Sequence, residues 1–179
     1  MSNSAAPTRA QVYAQIKAFL AANGVASTRM GWFQPGDEGA IDCQFPLAAI
    51  MPEPITPNPT HGGFDEEERI KIVVWFAGDG DGPYSATWGG WQSANENDYT
   101  PFRFHDDITS GSNSLAEWFP TKAGYGFGSG QFIATLDAFE EYWWTPMQAG
   151  GPIGVEMTLK LNISAGPAQG QAEINLSED

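Results

Sequence analysis

The chain has 179 residues, with 22 acidic against 8 basic side chains and a formal net charge of −14. That length is enough for one domain with a real core. The charge excludes a protein that coats or reads nucleic acid or clings to an anionic membrane, because like charges repel. Aromatic residues make up 13%, too many for a disordered chain.

Cys43 is the only cysteine, so an intrachain disulfide is excluded. No N-terminal run joins basic residues to an apolar core, and none is long enough to span a membrane. The glycosylation patterns at Asn162 and Asn175 are therefore read as chance. Composition predicts a soluble domain that folds in a reducing compartment.

Residues 1–8 read as a small polar arm. Thr8 has the chemistry of a helix N-cap, and Gln11 completes a capping box. Val12, Ile16, Phe19 and Leu20 share one helical face, and Asn23-Gly24 supplies a left-handed stop. The spacing predicts a helix over 9–22 packed across a sheet. Ile41, Cys43 and Phe45 alternate with Asp42 and Gln44, which predicts a strand at 40–45 paired with 28–33. Cys43 would then be an inert thiol on the core side. Pro46, Pro52, Pro54, Pro57 and Pro59 predict a long extended loop over 46–63, not a strand. Asp65-Glu66-Glu67-Glu68 reads as a solvated edge.

Ile70, Ile72, Val74 and Phe76 alternate with Arg69, Lys71, Val73 and Trp75, which predicts a strand at 69–76 with a partly apolar second face. A turn at 78–83 leads to a strand at 84–88, broken at Gly89-Gly90-Trp91. Residues 100–105 read as a strand with Phe102 and Phe104 inward, and 106–113 as loop. Ser114 and Glu117 form a second capping box that opens a turn or two of helix before Pro120. Residues 131–141 read as strand, ending in Tyr142-Trp143-Trp144.

The clearest element is 153–164. Ile153, Val155, Met157, Leu159, Leu161 and Ile163 make one apolar face, with polar residues or glycine between them. A one-sided strand of this kind belongs to an antiparallel sheet. The expected architecture is mainly β, an antiparallel β-sandwich or open barrel with the N-terminal helix packed on it. Residues 9–166 form a single domain and 167–179 an acidic tail.

Chemistry-bearing patterns are weak. Asp79-Gly80-Asp81-Gly82 begins like a calcium loop, but Pro83 and the missing glutamate break the pattern. His61, His105, Asp106 and Asp107 lack metal-ligand spacing. The glycines at 124–130 satisfy no phosphate-loop pattern. Glu140 and Glu141 lie beside indoles as in a glycosidase, but neighbours on a strand face opposite ways. Glu53, Glu117 or Asp137 would have to complete the pair. No metal or cofactor is expected, and no enzyme. Trp75, Trp88, Trp91, Trp143 and Trp144 are the candidate interface or binding residues, since tryptophan is enriched in interfaces and carbohydrate platforms.

The run from Phe132 to Phe139, the turn with Gly150-Gly151-Pro152, and Val155 to Ile163 closing on Gly166 are similar to the last hairpin of bacteriophage tail tube proteins. The resemblance covers about a fifth of the chain. The helix at 9–22 is more like the opening of a tail terminator or head–tail connecting protein, and the central helix of tube proteins would be reduced to 115–119. The resemblance implies a β-sandwich subunit whose copies form stacked rings with an acidic lumen that passes DNA. It carries no catalytic residues. The expectation is a structural, self-assembling virion protein, made in the host cytoplasm. Its partners would be copies of itself and other virion proteins. The alternative is a non-catalytic carbohydrate-binding β-sandwich using Trp88, Trp91, Trp143 and Trp144. A glycoside hydrolase is a distant third.

Overall fold

The computed structural model describes residues 8–35, 42–53, 56–60, 63–77, 95–119, 131–143 and 152–165. Helix α1 spans Arg9–Ala22, as its caps predict. Gln11 N–H donates to Thr8 Oγ1 at 3.2 Å, and Thr8 N–H donates to Gln11 Oε1 at 2.8 Å. The helix stops at Asn23, and Gly24 takes the left-handed φ of +85° that an L side chain resists. Val12, Ile16, Phe19 and Leu20 are buried. Each contributes about 1.5–3 kcal/mol by leaving water.

The strands are β1 (Ser27–Met30), β2 (Leu47–Pro52), β3 (Thr56–Thr60), β4 (Gly63–Phe76), β5 (Gln131–Trp143) and β6 (Ile153–Ala165). They form one mixed sheet in the order β1-β2-β4-β6-β5, with β3 also paired to β4. Only β1 and β2 run parallel. Helices α2 (Thr100–Ser110) and α3 (Leu115–Glu117) complete the described elements. The fold is therefore mainly β with helices. The described strands make a single sheet, without the second layer of a sandwich or the closure of a barrel.

The apolar alternation at 153–163 lies on one buried face of β6. With Ile70, Ile72, Val74 and Phe76 of β4 it packs against α1, Phe104, Ile108, Leu115 and Phe119 in the main core. A smaller cluster lies on the other face: Phe33, Leu47, Ala49, Val73 and Trp75, with Cys43, Phe45 and Met51 partly buried against it. The partly apolar second face expected of β4 is thus real.

Several expectations fail. The strand expected at 40–45 is absent from its described residues, 42–45. The partner of β1 is instead β2, inside the stretch expected to be loop. Leu47–Ile50 is apolar on both faces because both clusters bury it, so it shows no alternation.

The prolines also do not forbid β3. Thr60 pairs with Gly63 across a two-residue connection, so Asn58 and Thr60 turn their backbone groups toward β4. Pro57 and Pro59 fall on the alternate positions, where the missing N–H would face outward.

The expected strand at 100–105 is the start of α2, which runs on to Ser110 through most of the loop expected at 106–113. Pro101 sits in its first turn, where no N–H is needed. Thr100, Phe104 and Ile108 are buried at helical spacing, while Phe102 is 50% exposed. Helix is therefore not reduced to the 115–119 region. The turn at Leu115–Glu117 is present, but Ser114 makes no side-chain cap bond.

The acidic run is not wholly solvated either. Glu68 is 1% exposed and shares the inner face of β4 with Ile70.

Candidate functional site

The predicted tryptophans divide. Trp75 is fully buried, its indole lying over Gly154 on the neighbouring strand. A β-carbon at Gly154 would fall 2.8 Å from Trp75 Cζ3, so the pair is a packing device and Trp75 is not a surface platform. Trp143 ends the backbone of β5, and its side chain lies outside the described part. Trp88, Trp91 and Trp144 lie outside the described residues, as do the 84–88 strand, Asp79, Asp81, His61 and the 124–130 glycines. The two indoles outside that candidate set are Trp118, partly buried against the main core, and Trp32, 55% exposed just beyond β1, two residues after Met30, itself 48% exposed.

The glycosidase candidates are partly brought together. Glu53 and Glu140 both act on Lys71, whose ammonium bonds Glu156 at 2.8 Å. Glu156, then these carboxylates, raise the Lys71 pKa above its ordinary value. Asp137 pairs with Arg69 at 3.5 Å, and Glu117 stands apart on α3. His105 Nδ1 lies 3.3 Å from Asp106 Oδ1, and its ring meets Phe139 edge-on at 4.9 Å. Among the described residues no three His, Cys, Asp or Glu side chains converge as metal ligands.

The outer face of β4, β5 and β6 is a lattice of charge. Arg69 stands directly opposite Lys160, and Glu140 opposite Glu156, like charge facing like. Opposite charges from adjacent rows relieve both: Glu67 takes Lys160 at 3.0 Å, Asp137 takes Arg69, and Lys71 takes Glu156. Half-exposed pairs of this kind contribute about 0–1 kcal/mol each. Their effect is to pattern this part of the face with alternating charge.

On the inner face one buried carboxylate anchors the helix layer. Arg9 Nη2 and Tyr13 Oη both donate to Glu68 Oε1 at 2.5 Å. Burial, then the hydrogen bond to Glu68 and its charge, push the Tyr13 phenol well above its ordinary range. The folded protein thus holds that proton more tightly than the unfolded chain. This stabilisation is complete below a pH of about 10 and is lost as pH rises through the folded value. Unfolding free energy is expected to fall above a pH of about 10, and Tyr13→Phe to flatten part of that fall, in urea titrations across the alkaline range.

The sheet has three outer edges. Pro57 and Pro59 deny donors to the edge of β3. The outer edges of β1 and β5 have no strand partner among the described residues. At β1, Gly31 N–H reaches back to Ile50 O and Ser27 N–H to Pro46 O, so the alternate residues Thr28 and Met30 turn their backbone groups outward. At β5, thirteen residues run along the rim, with a bulge between Leu136 and Ala138. Such edges are templates for pairing with another strand.

An open hollow of about 290 Å³ also lies where α1 and α2 end, lined by Asn23, Gly24, Asp107 and Gly111 among others. Asn23 Nδ2 bonds Phe19 O and Asn113 O at 3.0 Å, and Asn113 Nδ2 returns to Ala22 O at 3.2 Å. This amide clamp joins the two helix ends. Compared with protein-family models and with curated proteins, the chain matches none.

Proposed function

We propose that this chain is a structural, self-assembling virion protein, a tail-tube-like ring or tube subunit whose partners are its own copies and other virion proteins. The observation that carries the reading is the two-sided sheet. Helices seal one face into a core, and the other carries a lattice of charged side chains over Glu67–Lys71 of β4 and the facing parts of β5 and β6, beside the small Trp75 cluster. Such a face suits the lining of a lumen. That face sets four carboxylates (Glu67, Asp137, Glu140, Glu156) against three cations (Arg69, Lys71, Lys160), and the −14 of the whole chain disfavours adhesion of DNA. The barrel expected of one chain would, on this reading, be completed between copies. Negative-stain imaging of the purified protein at high concentration tests it: rings or tubes are expected, and a field of isolated 19.3 kDa particles would refute it.

A further inference from the structure

We propose that the outer edge of β1 in one copy pairs antiparallel with the outer edge of β5 in the next, so that the sheet runs on from subunit to subunit. This rests on the ring reading above and names the contact that makes the ring. The argument begins with strand direction. β1 runs with β2, β4 runs against β2, β6 against β4, and β5 against β6. The two edges without a strand partner among the described residues therefore point in opposite senses. A rotation about an axis along the strands keeps each strand's direction, and so brings β1 of one copy antiparallel to β5 of its neighbour. Repeated, that operation closes a ring.

The side chains at the two edges match face by face. Thr28 and Met30 pair with Ala48 and Ile50, so they lie on the helix side of the sheet. On that side β5 offers Leu136 and Phe139, both only partly buried against the core. Arg29 pairs with Ala49 and so lies on the opposite face of the sheet, the face that carries the charged lattice farther along. There β5 presents Glu140, opposite Glu156, beside the bulged Asp137. Apolar Met30 thus meets an apolar strip, and cationic Arg29 meets carboxylates. Both Arg29 and Glu140 are exposed in the single chain.

Charge also decides against the competing two-fold contacts. Pairing β5 with β5 would set Glu140 and Asp137 against their own copies, and pairing β1 with β1 would oppose Arg29 to Arg29. Like charges directly opposite destabilise a strand pair. Neither symmetric dimer satisfies both edges, whereas the head-to-tail contact does.

The test is the native mass, by light scattering, of the full chain and of three edge variants whose fold is verified by circular dichroism. Wild type is expected to exceed a dimer. Arg29→Glu and Glu140→Arg alone are each expected to shift the mass toward 19.3 kDa, and the two together to restore it. Thr28→Pro deletes an outward N–H without touching the β1–β2 ladder, and is expected to lower the mass as well. If wild type assembles and all these variants assemble unchanged, the edge contact is overturned while the ring reading stands. A wild-type dimer overturns the edge contact too. A wild-type monomer overturns both.

Discussion

Trp75→Ala is expected to lower the unfolding free energy by about 3–5 kcal/mol, as emptying a large buried aromatic site does. Trp75 is the largest fully buried side chain of the second-face cluster and leans on Val73, Leu47 and Phe33. Its removal would leave a cavity between strands already fixed by thirteen paired rows of β4 and β6, so the site cannot collapse to fill it. Gly154→Ala is expected to cost about 1–3 kcal/mol, because its methyl would strike the indole, 2.8 Å away. In the Trp75→Ala background the same change is expected to be near neutral. Urea denaturation of the four proteins of this cycle measures the coupling. Additive effects would mean that the indole does not cover Gly154.

The second large effect is expected at the buried carboxylate. Replacing both donors, Arg9→Met with Tyr13→Phe, strands Glu68 at 1% exposure without either partner. The expected loss is about 3–5 kcal/mol, the cost of breaking a buried ionic contact from one side. Adding Glu68→Met should return much of that loss, since an apolar trio needs no pairing. Thermal denaturation of the double and triple variants reads both steps. A double variant as stable as wild type would show that Glu68 is not held by Arg9 and Tyr13.

These two sites show how far the sequence could be read. α1, β6 and the 69–76 part of β4 were legible because each repeats one pattern along its length, while the first six residues of β4 were not expected as strand. Thr8 and Gln11 cap a clean apolar stripe, and β6 alternates without a break over one sealed face. Glu68 was missed because three acidic neighbours made it look solvated, yet its parity with Ile70, Ile72 and Val74 already placed it inside. Trp75 shares its parity with Val73, and the apolar second face was legible from that pair. What covers that face was not, because Phe33, Cys43 and Phe45 come from segments distant in sequence.

Elements shaped by tertiary context were read wrongly. In α2 the pair Phe102 and Phe104 imitates strand alternation, while the deciding set is Thr100, Phe104 and Ile108. β2 lacks alternation because both its faces are covered, and β3 survives its prolines because of the hairpin's phase. No local pattern announces either fact. Trp75, offered as an interface residue, is a core residue, and the candidate tryptophans did not mark the edge residues of the proposed assembly. Arg29, Met30 and Glu140 gain meaning only once the order β1-β2-β4-β6-β5 places their strands at opposite ends of one sheet.

The central claim is that this sheet is built to be continued by other copies of the chain. Light scattering across a concentration series of the unmodified protein tests it most directly. The account predicts a mass above two chains: a discrete whole-number multiple of 19.3 kDa where single rings close, and larger, concentration-dependent species where rings stack into tubes. A single 19.3 kDa species at every concentration would contradict it.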